Sequence, residues 1–127
     1  MSRNIFDEAQ IHPAIRQQIS DSHADIVREV QDAVAAHPVV IVGMALNPFP
    51  PKARKIFDVL GTPYHYLQYG SYVSQWRRRA ALKMWTGWPT FPMVFVNGVL
   101  VGGATELKAL LDNGELSRLL AKKVSAF

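Results

Sequence analysis

The chain contains no cysteine. That absence removes disulfides, thiolate metal sites and thiol redox chemistry together. Long apolar runs are missing as well. None approaches the length a bilayer-spanning helix needs, and the first residues lack the pattern of a secretory signal. The expectation is a soluble, cytoplasmic protein with no membrane partner. His12, His23, His37 and His65 show no paired spacing, so no metal site is expected. The Asp and Glu residues are scattered over presumed helix surfaces, and no carboxylate pair suggests acid–base catalysis. Internal repeats, low-complexity segments and linkers are absent too.

What is present suits one compact unit. The chain has 127 residues, of which 49% are apolar, enough to bury a core. A net charge of +4 is compatible with anionic partners without singling one out. The stretch that organises the rest runs from Trp88 to Gly103. Met93–Val96 and Val99–Val101 read as two strands joined by Asn97-Gly98, the pair that best supplies the two positive-φ positions of a type I′ turn. Phe91-Pro92 lies directly before the first strand, where an X-Pro bond can adopt the cis form at modest cost. Gly102-Gly103 follows the second and lets a ligand or helix end approach the backbone closely.

In chain order, Ile11, Ile15 and Ile19 recur every four residues. They predict a short amphipathic helix with Pro13 in its first turn. Ser22 is placed as the N-cap of a second helix, striped by Ile26, Val27, Val30 and Val34 and ending near Ala36. Val39–Val42 is a β-branched run suited to a strand buried on both faces. A loop containing Pro48, Pro50 and Pro51 follows, with Asn47 or Phe49 near the cap of a helix from about Pro51 to Leu60. Tyr64–Tyr69 reads as a strand, 73–85 as a helix, and Thr105–Leu111 and Glu115–Ala121 as two terminal helices. Helices alternating with strands before an antiparallel hairpin give an α/β class with a mixed four-stranded sheet flanked by helices. The expected organisation is an N-terminal helical extension over 1–22 and a main domain over 23–127.

The run Trp88-Pro89-Thr90-Phe91-Pro92, then Val96-Asn97-Gly98, Val101-Gly102-Gly103 and Gly114-Glu115-Leu116, resembles monothiol glutaredoxins of the thioredoxin fold. Arg79, Lys83 and Thr86 also fall where that family has an R-x-x-x-K-x-x-S/T approach to the WPT segment. The resemblance covers about 25–120 and implies a thioredoxin-like fold of glutaredoxin subtype, with Pro92 in the cis form. It also exposes a departure. Where glutaredoxins place C-P-Y-C or C-G-F-S, this chain reads Asn47-Pro48-Phe49-Pro50. Asn47 stands at the position of the nucleophilic cysteine and Pro50 at that of the resolving residue. An amide is not a nucleophile at neutral pH and forms no mixed disulfide, so thiol–disulfide exchange is excluded. The same thiolate would ligate an iron–sulfur cluster shared between two subunits, so no such cluster is expected.

The binding half of the family site is implied to survive. By the resemblance, Phe91 beside Pro92 offers its backbone to the cysteinyl part of glutathione. Gly103, Ala104 and Thr105 hold the γ-glutamyl end at a helix start, and Arg79 pairs with the glycine carboxylate. Two family charges are missing: a lysine near Met44 and an aspartate near Thr105. Each such contact is worth about 1.5–3 kcal/mol where desolvated. Their joint loss would weaken glutathione binding on the order of a hundredfold. The leading expectation is a cysteine-less, non-catalytic binding or adaptor domain for glutathione, an extended peptide or a protein partner. The alternatives are a transferase-like glutathione enzyme and a basic anion- or nucleic-acid-binding protein using Arg77–Arg79 with nearby tryptophans. No RNP-type or GXXG-type signature supports nucleic acid. The Arg77–Arg79 run reads first as a solvated basic face, and Tyr64, Tyr66, Tyr69 and Tyr72 as sheet packing.

Overall fold

The computed structural model describes residues 6–21, 23–45, 47, 49–70 and 75–121. Its centre is a four-stranded sheet in the order β2-β1-β3-β4, built from β1 (Val39–Gly43), β2 (His65–Gln68), β3 (Met93–Val96) and β4 (Val99–Gly102). β1 runs parallel to β2 and antiparallel to β3, and β3 pairs antiparallel with β4. The sheet is therefore mixed, and β1 is one of its two interior, fully buried strands, as its β-branched run requires.

The pleat of β1 sorts its side chains into two cores. Val40 and Val42 join Ile26, Val30, Leu82, Met93 and Phe95 under α2 (Ala24–Ala36) and α4 (Trp76–Thr86). Val39 and Ile41 join Phe57, Val94, Val96, Leu107 and Leu116 under α3 (Phe49–Leu60), α5 (Ala104–Asp112) and α6 (Glu115–Ala121). Each fully buried aliphatic or aromatic side chain contributes roughly 1.5–3 kcal/mol, so these two layers fix where the strand ends point.

The hairpin has the expected turn, with Asn97 at φ +48° and Gly98 at φ +82°. Asn97 also anchors it: its backbone N–H donates to Pro38 O at 2.7 Å and its Nδ2 to Leu119 O at 2.6 Å. Between Val94 and Phe95 the β3–β4 register shifts, leaving Val101 as an extra residue on β4. This bulge turns the end of β4 towards the start of α5.

Several boundaries differ from the sequence reading. β2 is shorter than Tyr64–Tyr69, because Pro63 and the positive φ of Gly70 frame it, although Tyr69 N–H still reaches Gly43 O at 2.9 Å. α4 begins at Trp76 rather than near Val73, after Gln75 in the left-handed conformation. Pro13 opens α1 (Pro13–Asp21), as expected, yet Ile15 on the predicted apolar stripe is 46% exposed. His37 and His65 stack face to face, with ring centroids 4.3 Å apart. The expectations for Ser22, Pro48, Tyr72 and 73–74 lie outside the described residues.

A cleft between α3, the Phe91–Pro92 turn and α5

Three loop ends meet above the carboxyl end of β1. The first carries Asn47. Its Oδ1 accepts the Phe49 N–H at 2.9 Å, a short Asx turn that satisfies one of the donors left open at a helix start. Its Nδ2 donates across the fold to Phe91 O at 3.4 Å. Pro50 is the second residue of α3, in the first turn, where a missing N–H is tolerated. The second wall is Phe91–Pro92, joined by a cis peptide bond immediately before β3.

The third wall is the start of α5. Gly102 sits at φ +107°, and a Cβ there would lie 2.8 Å from Glu106 Cβ. Gly103 is the N-cap, and its N–H donates to Glu106 Oε1 at 2.9 Å. Having no side chain, Gly103 makes only this half of a capping box.

Between these walls lies a cleft of about 410 Å³. Met44, Asn47, Phe91, Pro92, Gly103, Ala104 and Thr105 all line it. Arg79 does not. It is 5% exposed, and its guanidinium donates to Tyr69 O at 2.9 Å, tying α4 to the end of β2. Burial lowers its pKa from the ordinary arginine value. Arg79, expected at the glycine carboxylate, is thus placed with its side chain on a backbone carbonyl in the core and away from the cleft lining.

Among the described residues the cation lining the cleft is Lys83, one turn further along α4. It lines the cavity with its ammonium 5.8 Å from the centre of the Phe91 ring. A carboxylate is supplied by Glu106. Lys83 belongs to the R-x-x-x-K pattern noted in the sequence, so the cleft carries it and Glu106 without the two charges missing at Met44 and Thr105. The sequence signal for Glu106 was its place three residues after the second glycine, the N3 position of a capping box. Trp88 completes the wall. Its Nε1 is buried and has no partner among the described residues. Its backbone N–H is held by Thr86 Oγ1 at 3.1 Å, and that hydroxyl donates in turn to Leu82 O at 2.8 Å.

The Arg77–Arg79 run does not form one solvated face. Arg77 stacks on the exposed ring of Trp76, Arg78 pairs with Asp25 of α2 at 3.1 Å, and Arg79 is buried. Tyr69 belongs to the core, and its hydroxyl donates to Glu29. Burial, then that hydrogen bond, push its pKa well above the ordinary value.

At the start of α3 the cleft presents an amide where glutaredoxins place a thiolate, so thiol–disulfide exchange cannot begin there. An iron–sulfur cluster needs thiolates, and the residues present do not fit one. Among the described residues, no group of three or more His, Asp or Glu side chains converges on a metal-sized space. No described helix is long and apolar enough to cross a membrane.

A family model described as Glutaredoxin matches residues 39–101. A glutaredoxin-like protein of Dictyostelium discoideum is 43% identical over 105 residues, covering 83% of this chain and 85% of that one. Monothiol glutaredoxins are among the further matches. The crystal structure of wheat glutaredoxin superposes with a TM-score of 0.68 at 31% identity, covering 78% of this chain and 95% of the other. A buckwheat glutaredoxin–glutathione complex superposes at 0.68 with 25% identity, over 79% and 91%. With the thioredoxin-like sheet, the cis proline and this extent of identity, the chain belongs to the glutaredoxin family, as a member without the active-site cysteine.

Proposed function

We propose that the protein is a non-catalytic binding module that holds glutathione, or a short extended peptide, against the Phe91–Pro92 edge. The observation that supports this most is the cleft itself. About 410 Å³ of open space is bordered by the Phe91–Pro92 backbone, the start of α5, a cation and a carboxylate. That volume is in the range of small-ligand sites. Glutathione carries two carboxylates and one ammonium, and Lys83 and Glu106 offer it one partner of each sign. The buckwheat complex lends support, since a relative of the same fold is seen with glutathione.

Backbone pairing at Phe91 is a form of strand addition and needs no thiol. The Asn47 amide already reaches Phe91 O, but at 3.4 Å that bond is long, and a carbonyl keeps a second lone pair for a ligand N–H. Asn47 acts here as a brace between α3 and the turn. Lys83 and Glu106 orient the ligand ends, and no bond in the ligand is made or broken.

Titration with glutathione and with S-methylglutathione, followed by amide chemical shifts, tests the reading. Shifts are expected at Phe91, Gly103, Ala104 and Thr105, equally for both ligands because no free thiol is used. Lys83→Ala and Glu106→Gln should each weaken binding several-fold, and the glutamine still caps α5. Absence of any response at millimolar ligand would end the proposal. A chromogenic transferase acceptor should show no turnover above the buffer rate.

A further inference from the structure

We propose that the cleft is one end of a longer track, and that the track takes an extended, acidic segment of a partner protein. This rests on the reading of the Phe91–Pro92 edge as a binding site. Phe49, Ala104 and Thr105 line the cleft and also line a second hollow of about 380 Å³ between α3 and α5. Three shared residues place the two spaces side by side. A bound tripeptide spans roughly 10 Å at about 3.3 Å per residue, so a further 380 Å³ accommodates side chains beyond it.

The second hollow has a definite chemistry. Its floor is apolar, made by Ile56 and by Phe49, whose ring is 46% exposed. Its rims are cationic, with Lys52 on α3 and Lys108 on α5. The Lys52 ammonium sits 5.1 Å from the centre of the Phe49 ring. Lys108 pairs with Asp112 at 2.6 and 2.8 Å. That exposed pair is worth about 0–1 kcal/mol, so exchanging Asp112 for an incoming carboxylate costs little. The Glu106 carboxylate at the cleft end disfavours an acid there. The arrangement therefore gives a direction: backbone at Phe91, an apolar side chain on Phe49 and Ile56, and a carboxylate between Lys52 and Lys108.

The full chain, isotope-labelled, is titrated with a capped hexapeptide ending in leucine-glutamate-glutamate, and with its glutamine counterpart. The acidic peptide should shift the amides of Lys52, Ile56 and Lys108 together with those of Phe91 and Thr105. The glutamine peptide should bind about tenfold more weakly. The double reversal Lys52→Glu/Lys108→Glu should lower affinity for the acidic peptide to the same degree while leaving glutathione shifts at Phe91 and Thr105 unchanged. Both lysines are exposed. Should the double variant fail to fold, Phe49→Ala carries the test of the apolar floor. Equal binding of the two peptides, an unchanged affinity after reversal, or shifts that stop at Thr105 would overturn the track while leaving the cleft reading intact. Silence at Phe91 and Thr105 with every probe would remove both. Shifts in the hollow that follow protein concentration without peptide would assign it to a second copy of the chain and overturn the proposal.

Discussion

Asn47 makes one hydrogen bond along the chain and one across the cleft, and substitution separates them. Asn47→Ala removes both and should destabilise the fold by about 1 kcal/mol in chemical denaturation. Asn47→Asp keeps the acceptor for Phe49 N–H and suits the helix start, but loses the donor to Phe91 O. Its loss should be smaller. Arg79 and Lys83, four residues apart on α4, form a second contrast. Arg79→Ala removes a buried charged donor to Tyr69 O and should cost about 2 kcal/mol, with ligand affinity of the folded protein unchanged. Lys83→Ala should leave the melting temperature unchanged and weaken the ligand. Tyr69 sets a pH dependence. Its folded pKa is raised, so its stabilising contribution is complete below 10.0, its value in the unfolded chain. Above that pH the unfolded chain ionises first, and stability falls as pH rises. Tyr69→Phe should flatten that alkaline decline in a series of denaturation midpoints, while lowering stability at neutral pH by about 1 kcal/mol through the lost bond to Glu29.

At the level of elements, the β4–α5 junction decides the site. Gly102 at φ +107° leaves no room for a methyl, since Glu106 Cβ and Cγ would stand at 2.8 and 2.9 Å. Gly102→Ala should cost about 2–3 kcal/mol and disturb the cleft. Gly98→Ala, with nothing within 4 Å of its added methyl, should cost only the strain of its positive φ, about 1 kcal/mol. Denaturation midpoints of the two variants give the comparison. The same junction shows what sequence could and could not reveal. β1 was legible because four consecutive β-branched residues have few other homes, and the hairpin because Asn97-Gly98 has one preferred turn. The R-x-x-x-K pattern was legible as a pattern, but not the depth at which each side chain lies. Arg79 falls beneath the end of β2, whereas Lys83 emerges beside Phe91. Glu106 was marked only by its place three residues after Gly103, and that capping position does not by itself say that the carboxylate borders the cleft.

For the molecule as a whole, the family scaffold is retained while the reacting group is absent. Incubation with glutathione disulfide should leave the intact mass unchanged. In Asn47→Cys, a thiolate at the start of α3 would attack one sulfur of the disulfide, release glutathione thiolate and leave a mixed disulfide. Mass spectrometry should then show one added glutathione, and its absence would indicate that the cleft does not present a ligand sulfur to α3. In the natural sequence the brace between α3 and the Phe91 carbonyl is an amide, which has neither a reduction potential nor a proton to lose near neutral pH. That link between α3 and the turn is thereby insulated from the electron and proton balance of its surroundings.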